Sequence, residues 1–471
     1  MKRYDSHYAN GAWMPSTGTA VLPVTDPATD EVIAEVVSGS ASDVDRAVAA
    51  AREAFPAWSA TSAEERAAYL GAIAQGLVDR TEEIAITISR EMGSPMWFSR
   101  MVQAGLPANS FAKAAEIVST FAFESERHGA RIVREPYGVV GAIAPWNYPL
   151  HQIALKVAYA IAAGNTVVVK PSETTPLNAI ALAEIIDAAG LPPGVFNLVF
   201  GTGPEVGEAI AGHPGIDLVS FTGSTRAGRR VGELASATVK RVALELGGKS
   251  PNVVLDDADL TLAVPAALQA AWINSGQTCS ALTRLIVPRS KLAEVETIAV
   301  EAAAAFTVGA PQEETTVLGP LSSRAQQERV LGFVRKGIDE GARVVLGGET
   351  EPDDTPGAYV RPTIFSDVTR EMTIHREEIF GPVLAIEPYD TEEEAVELAN
   401  DTIYGLAGGV WAATPERARE VARRIRAGQV SINEAEFNAD APFGGYKQSG
   451  VGREAGEFGL EEFLEIKAII G

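Results

Sequence analysis

Gly138-Val139-Val140-Gly141-Ala142-Ile143-Ala144 decides the fold. It is a continuous apolar run with no polar residue on either alternate set, the pattern of a strand buried on both faces of a parallel sheet. The segments after it repeat a unit. Thr166–Lys170 reads as a second strand, and a helix is expected over Pro176–Ala189, stopped by Gly190 and Pro192. Val195–Phe200 reads as a strand, Glu205–Ala211 as a short helix and Asp217–Phe221 as a strand. Gly228–Ser236 reads as a helix and Lys240–Leu246 as a strand. Strand and helix alternating at this cadence imply a βαβ series and a twisted parallel sheet.

Ligands bind at the carboxyl ends of such strands. Asn147, Lys170, Gly203, Ser224 and Glu245 each stand at or just beyond a predicted strand end, so five polar or glycine positions converge on one sheet edge.

Upstream, Asn10-Gly11 and Asp26-Pro27 mark turns among short strands over residues 9–37. Val44, Ala47, Val48, Ala51 and Phe55 share a helix face, which Ser42 or Asp43 can cap. Further helices are expected over Ala63–Arg80 and Glu82–Met92, and Glu124–Glu135 is polar and extended. Residues 252–430 read as a second α/β unit. There Thr391-Glu392-Glu393-Glu394 is a capping box, Thr414-Pro415 opens a helix, and Gln429–Asn433 is a strand. The tail Phe463–Ile470 is apolar and suits an edge strand, in this chain or a second copy.

The chain has 471 residues, too many for one core, which stops growing near roughly 250–300 residues. A net charge of −23 disfavours nucleic-acid and anionic-membrane partners, which attract basic faces. No apolar run reaches the roughly 18 residues that span a bilayer, and Met1–His7 lacks the apolar core of a signal peptide, so a cytoplasmic location is expected. His7, His128, His151, His213 and His375 are scattered without metal-ligand spacing, so no metal site is expected.

Cys279, in Asn274-Ser275-Gly276-Gln277-Thr278-Cys279, is the single cysteine. It can form neither an internal disulfide nor a thiolate metal site alone. It is either a small buried hydrophobe or a nucleophile. Glu245-Leu246-Gly247-Gly248-Lys249-Ser250-Pro251 and Ala144-Pro145-Trp146-Asn147-Tyr148-Pro149 add a carboxylate and a side-chain amide on Gly- or Pro-bounded segments. Acyl chemistry at a carbonyl needs such a nucleophile, base and oxyanion donor.

These runs resemble the aldehyde dehydrogenase superfamily. The resemblance continues in Lys170-Pro171-Ser172-Glu173, Phe221-Thr222-Gly223-Ser224-Thr225, Glu377-Glu378-Ile379-Phe380-Gly381-Pro382 and Pro442-Phe443-Gly444-Gly445-Tyr446-Lys447-Gln448-Ser449-Gly450, in the family's order from about residue 9 onward. It implies a Rossmann-type cofactor domain over 1–119 and 136–246, a catalytic α/β domain over 247–440, and an oligomerisation arm over 120–135 with a C-terminal segment, 441–471. The implied activity is NAD-dependent oxidation of an aldehyde to its acid, in a homodimer or homotetramer.

The resemblance also assigns roles. Cys279 would attack the aldehyde, Glu245 would activate water, Asn147 would hold the oxyanion, and Lys156 and Glu454 would relay protons. Lys170 and Glu173 would hold the adenosine ribose, which favours NAD over NADP because a carboxylate there repels a 2′-phosphate. Gly201-Thr202-Gly203-Pro204-Glu205-Val206-Gly207 looks like a glycine-rich dinucleotide loop, yet the resemblance puts Gly203 and Gly207 at the adenine end and Ser224 at the pyrophosphate. Glu378, Phe380 and Gln326 would meet the nicotinamide end, and Trp146 would contact through its backbone. Ile143, Ala144, Ser172, Phe221, Gly223 and Leu246 complete the implied cofactor positions. Tyr148, Gln152, Leu155, Thr278, Ser280 and Phe437 are expected near the aldehyde, and they mix polar with apolar. Three other readings stand beside this one: an acylating or NADP-preferring relative, a cofactor-free thiol esterase, and a non-catalytic protein on the same fold.

Overall fold

The computed structural model of the chain describes residues 1–351, 356–433, 435 and 438–471. Two large sheets carry it. The first has eight strands, ordered Gly450–Val451, Arg241–Glu245, Leu218–Thr222, Val139–Ile143, Thr166–Lys170, Phe196–Leu198, Ser6–Ala9, Ala12–Pro15. Its five central strands are parallel. The parallel part begins at Val139–Ile143, steps outward twice, then returns to the other flank at Leu218–Thr222. Winding therefore reverses between those two strands, and a crevice opens beyond their carboxyl ends.

The apolar runs explain why both faces are covered. Side chains alternate along a strand. Val140, Ala142, Val167 and Val169 pack under Ile153, Val157, Ile180 and Leu182 of the helices Pro149–Ala163 and Leu177–Ala188. Val139, Ile143 and Val168 meet Val44, Val48, Ile210 and Val231 on the opposite face.

The second sheet has seven strands, ordered Arg343–Leu346, Thr363–Ser366, Val383–Tyr389, Arg284–Pro288, Pro251–Val254, Ala407–Trp411, Gln429–Ile432. Only the edge strand Arg343–Leu346 runs antiparallel. The helices Leu260–Trp272 and Leu292–Ala303 cover one face, and Glu392–Asn400 and Pro415–Ala422 the other.

Several expected elements change on folding. The first helix, Ala41–Ser59, is capped by Ser40 rather than Ser42 or Asp43. Ser40 Oγ accepts from the Ser42 N–H, while the Asp43 carboxylate reaches back to the Ser40 N–H at 2.9 Å and also accepts from Thr17. The helix expected from Gly228 starts at Thr225, because Ser224 Oγ accepts from the Ala227 N–H and satisfies its first turn. In place of one helix over Glu205–Ala211 there is a wide turn, Gly203–Gly207, capped by Thr202 and followed by Glu208–Gly212. At Thr391 the capping box is half formed, since the Glu394 carboxylate takes the Asp390 N–H instead of that of Thr391. Gly450–Val451, too short to show a pattern, lies in the 441–471 segment yet joins the edge of the first sheet beside Glu245.

Glu124–Arg127 and Ala130–Pro136 form a hairpin, and the tail strand Leu464–Ile470 adds antiparallel to Ala130–Pro136 of the same chain. Ile466, Ile469 and Ile470 stay exposed on it. Among the described residues, no helix is long and apolar enough to cross a membrane.

Candidate active site

The loops beyond the carboxyl ends of the first sheet face loops that precede strands of the second. Ala144–Tyr148 follows Val139–Ile143, Gly223-Ser224 follows Leu218–Thr222, and Glu245 ends Arg241–Glu245. Opposite them, Gly247–Ser250 precedes Pro251–Val254, Ile273–Ala281 precedes Arg284–Pro288, and Glu377–Pro382 precedes Val383–Tyr389.

The segment leading to Cys279 is strained. Asn274 and Ser275 both hold φ of 55°, and Gly276 follows at 76°. Left-handed backbone costs a non-glycine residue about 1–2 kcal/mol, so the neighbours must impose it. They do so by hydrogen bonds: Asn274 Nδ2 donates to the Asn147 carbonyl at 2.9 Å, Ser275 Oγ to the Gly319 carbonyl at 2.9 Å, and the Ser322 N–H to Gln277 Oε1 at 2.9 Å. Position 276 admits only glycine, because a Cβ there would lie 2.1 Å from the Gly381 carbonyl oxygen. Cys279 itself is half-buried.

Asn147 sits beside this segment. Its Nδ2 donates to the Gln277 carbonyl at 3.0 Å, its sole acceptor among the described residues. An amide nitrogen carries two N–H groups, so one remains for an oxyanion. Gln103 Nε2 also fixes the Asn147 carbonyl, at 3.0 Å. The Tyr148 hydroxyl bonds Thr278 Oγ1 at 2.7 Å, so the two loops are joined on both sides of the Asn147–Gln277 contact.

Glu245 is buried, and neither carboxylate oxygen has a hydrogen-bond partner among the described residues. Burial first, and the like charge of Glu454 second, push its carboxyl well above the usual range. Gly444 leaves it room, since a Cβ there would lie 2.7 Å from Glu245 Oε1. Lys156 Nζ, fully buried, donates to Glu454 Oε1 at 2.6 Å and Thr222 Oγ1 at 2.7 Å. Burial, then the charges of Glu378 and Glu245, raise the Cys279 thiol. These carboxylates thus share one field with the sulfur. Burial pushes Glu378 up to about 7 although the Gly248 N–H donates to it. Gly247 leaves room for this carboxylate, since a Cβ there would lie 2.3 Å from Glu378 Oε2.

The expected cofactor positions form a second cluster. Lys170 Nζ donates to the carbonyls of Pro171 and Gly201 at 2.7 and 2.9 Å and to Glu173 Oε2 at 3.2 Å. Burial pushes Glu173 up, but Lys170 and backbone N–H groups, that of Gly203 included, outweigh it and hold the carboxyl low. A Cβ on Gly203 would meet nothing within 4 Å, and one on Gly207 only ordinary contact with Lys170, so the space above them is open. Ser224 caps Thr225–Ser236, whose N-terminal amides face the crevice end of the sheet. Trp146 and Phe380 rings meet edge to face at 5.3 Å, and Gln326 Nε2 holds the Phe380 carbonyl at 2.8 Å. Gly223 and Ser172 lie in the same loops, whereas Ile143, Phe221 and Leu246 pack into the core below, and Ala144 is buried. Gln152 and Leu155 are buried on the helix that starts beside Asn147. Phe437 lies outside the described residues.

Residues 13–469 match the aldehyde dehydrogenase family. The chain belongs to that family. Among aldehyde dehydrogenases, it is 49% identical to 3-succinoylsemialdehyde-pyridine dehydrogenase of a Pseudomonas species, an alignment covering 100% of this chain and 99% of that one. Aldehyde dehydrogenase C of Pseudomonas syringae, a mutant solved with NAD+ and octanal, superposes with a TM-score of 0.98 at 53% identity, over 99% of this chain and 96% of that one. The NAD+ complex of aldehyde dehydrogenase from Bacillus cereus superposes at 0.95 with 40% identity, over 99% and 96%. The fold is therefore that of the family, and the chain is an oxidoreductase of the aldehyde dehydrogenase class.

The roles of Gln103, Asn274 and Gly444 are not anticipated by the sequence. Asn274 stands in the cysteine run, but nothing in that run shows that its amide reaches Asn147. Gly444 stands in the Pro442–Gly450 run, but nothing there shows that it faces Glu245, and Gln103 comes from a distant segment with no local signal.

Proposed function

We propose that the protein oxidises an aldehyde to its carboxylic acid with NAD, through a thioester on Cys279. What supports this is the arrangement about the cysteine loop: Asn147 donates to the Gln277 carbonyl at 3.0 Å, and Glu245 ends the strand that runs into Gly247-Gly248, where a Cβ on Gly248 would lie 2.4 Å from the Cys279 carbonyl oxygen. The relatives solved with NAD+ support the cofactor. So does the open space over Gly203 beside a helix N-terminus capped by Ser224, which suits a pyrophosphate.

When bound, NAD supplies the acceptor for the two electrons the aldehyde loses. Lys170, Glu173 and Ser224 would hold its adenosine and phosphates, and Glu378 and Phe380 its nicotinamide end. The low, anionic Glu173 favours NAD over NADP by repelling a 2′-phosphate. Cys279 adds to the carbonyl carbon as a thiolate, giving a hemithioacetal. Its raised thiol pKa means the proton must leave, and because Cys279 is half-buried it can pass to solvent in the crevice as the sulfur attacks, which leaves Glu245 free for the later step. The Asn147 amide and the Cys279 N–H stabilise the negative oxygen, one such donor being worth ~3 kcal/mol. After oxidation, Glu245 takes a proton from the water that cleaves the thioester, and the Glu454–Lys156–Thr222 chain passes it on.

The exposed Ile466, Ile469 and Ile470 on the tail strand suit pairing with a second copy, in a homodimer or homotetramer. A panel of aldehydes assayed by absorbance for NAD and NADP reduction tests the main reading. Reduction of NAD with at least one aldehyde supports it; turnover that requires coenzyme A, or none with any aldehyde, opposes it.

A further inference from the structure

Glu91 is a fully buried carboxylate outside the active site. It stands near the end of the helix Thr81–Met92, and its oxygens bond to another helix. Oε2 accepts from the Leu177 N–H at 2.7 Å, and Oε1 from the Asn178 N–H at 3.1 Å and Asn178 Nδ2 at 2.6 Å. The helix Leu177–Ala188 has no side-chain cap of its own, since Pro176 stands at that position. A helix start leaves four N–H groups without intrahelical partners. Glu91 takes two of them from a neighbouring element. Asn178 Nδ2 also donates to the Thr175 carbonyl at 2.8 Å, which extends the anchor back into the turn.

That turn is Pro171–Pro176. At its other end Lys170 grips the Pro171 carbonyl at 2.7 Å and Glu173 at 3.2 Å, and Ser172 Oγ accepts from the Thr174 N–H at 3.2 Å. The turn is thus pinned at both ends, by a lysine before it and by Glu91 after it. The arrangement is unfavourable in itself. No cation neutralises Glu91 among the described residues, and burial pushes its carboxyl up to about 7 despite three N–H donors. A serine or aspartate at position 176 would cap the helix without burying a carboxylate from elsewhere. What a local cap would not do is fix the turn against the helix bundle that carries Glu91.

We propose that Glu91 is a positioning residue for the cofactor: by capping Leu177–Ala188 from outside, it holds the Ser172–Glu173 turn against Lys170 in the geometry that takes the adenosine ribose. This rests on the assignment of NAD to the crevice.

Glu91→Asp and Glu91→Gln test it. Aspartate keeps the charge but is one methylene shorter, while glutamine keeps the length and an acceptor oxygen. NAD binding is measured by titration calorimetry, with kcat at saturating NAD and the unfolding midpoint alongside. The expected result is about tenfold weaker NAD binding in Glu91→Asp, a smaller loss in Glu91→Gln, and kcat at saturating NAD within about twofold in both. NAD affinity unchanged in Glu91→Asp overturns the proposal, whether or not the midpoint falls. So does a fall in kcat with affinity retained. Should Glu91→Asp not fold, Glu91→Gln decides: hydrogen exchange over 171–178 faster than in the parent, with weaker NAD binding, supports the proposal, and parent-like exchange or affinity opposes it. Failure of the unaltered protein to bind NAD would instead sink the functional reading.

Discussion

The two large sheets are wound alike, yet they offer opposite ends to the chemistry. The first presents its carboxyl ends, where Asn147, Lys170, Ser224 and Glu245 stand. The second presents its amino ends, from which Gly247-Gly248, Cys279 and Glu378-Phe380 project. At its own carboxyl ends, beyond Pro251–Val254, Arg284–Pro288 and Val383–Tyr389, there is a hollow of about 270 Å³ lined by Asp256, Arg289, Asp390, Glu392 and Arg417. Those charges largely pair with one another: Arg417 with Asp256 at 2.7 Å and Asp257 at 2.6 Å, and Arg289 with Asp390 at 2.9 Å. The first site differs in kind. Glu245 is buried with no partner among the described residues and a raised pKa, which is costly in a fold and characteristic of a working group. Winding direction tells where a crevice forms; a buried carboxylate left without a partner makes the first crevice the candidate for chemistry.

This contrast can be broken in graded ways. Cys279→Ala is expected to lower aldehyde-dependent NADH production by more than about a thousandfold, with NAD affinity by calorimetry retained. Turnover near the parent rate would remove the second sheet's amino ends from the chemistry. Asn147→Ala is expected to cost about 10²–10³ in kcat, measured at saturating aldehyde, because one oxyanion donor goes. A change in KM alone would mean that the amide only shapes the loop.

The pH profile sharpens the same point. Glu245 acts as a base only when ionised, and its pKa is raised, so ionisation comes at higher pH. Thioester hydrolysis in single-turnover experiments should climb with pH along a limb lying above the ordinary glutamate value of ~4.3. A rate flat from about pH 5 upward would mean an unperturbed carboxylate. The smallest effect is expected at the opposite end of the second sheet. Arg417→Ala should leave kcat/KM within about twofold and cost under about 1 kcal/mol by denaturant unfolding, as exposed ion pairs do. A large kinetic loss would give that hollow a part in the reaction.

Much of the fold is legible in the chain before it folds. Apolar runs such as Val139–Ile143 announce buried strands because they are apolar on both alternate sets and too short for a buried helix, and their alternation with helical segments implies a parallel first sheet. The second sheet reads only as an α/β unit, and the rule that ligands sit at carboxyl ends says nothing of its amino ends. Caps slip by a few residues where several oxygen-bearing side chains compete, as at Ser40-Ala41-Ser42-Asp43. Asn274, Gln103 and Gly444 act through contacts closed only by folding, between segments far apart in the chain. The two-residue strand Gly450–Val451 has no periodicity to read, though it flanks Glu245.

Intact-protein mass spectrometry of Glu245→Gln, mixed with NAD and one equivalent of a good aldehyde substrate, tests the union of the two sheet ends most directly. With the nucleophile intact and the base removed, the protein should gain the mass of the acyl group, and peptide mapping should put it on Cys279. A variant that turns over at the parent rate and carries no adduct would contradict the placing of base and sulfur in one site.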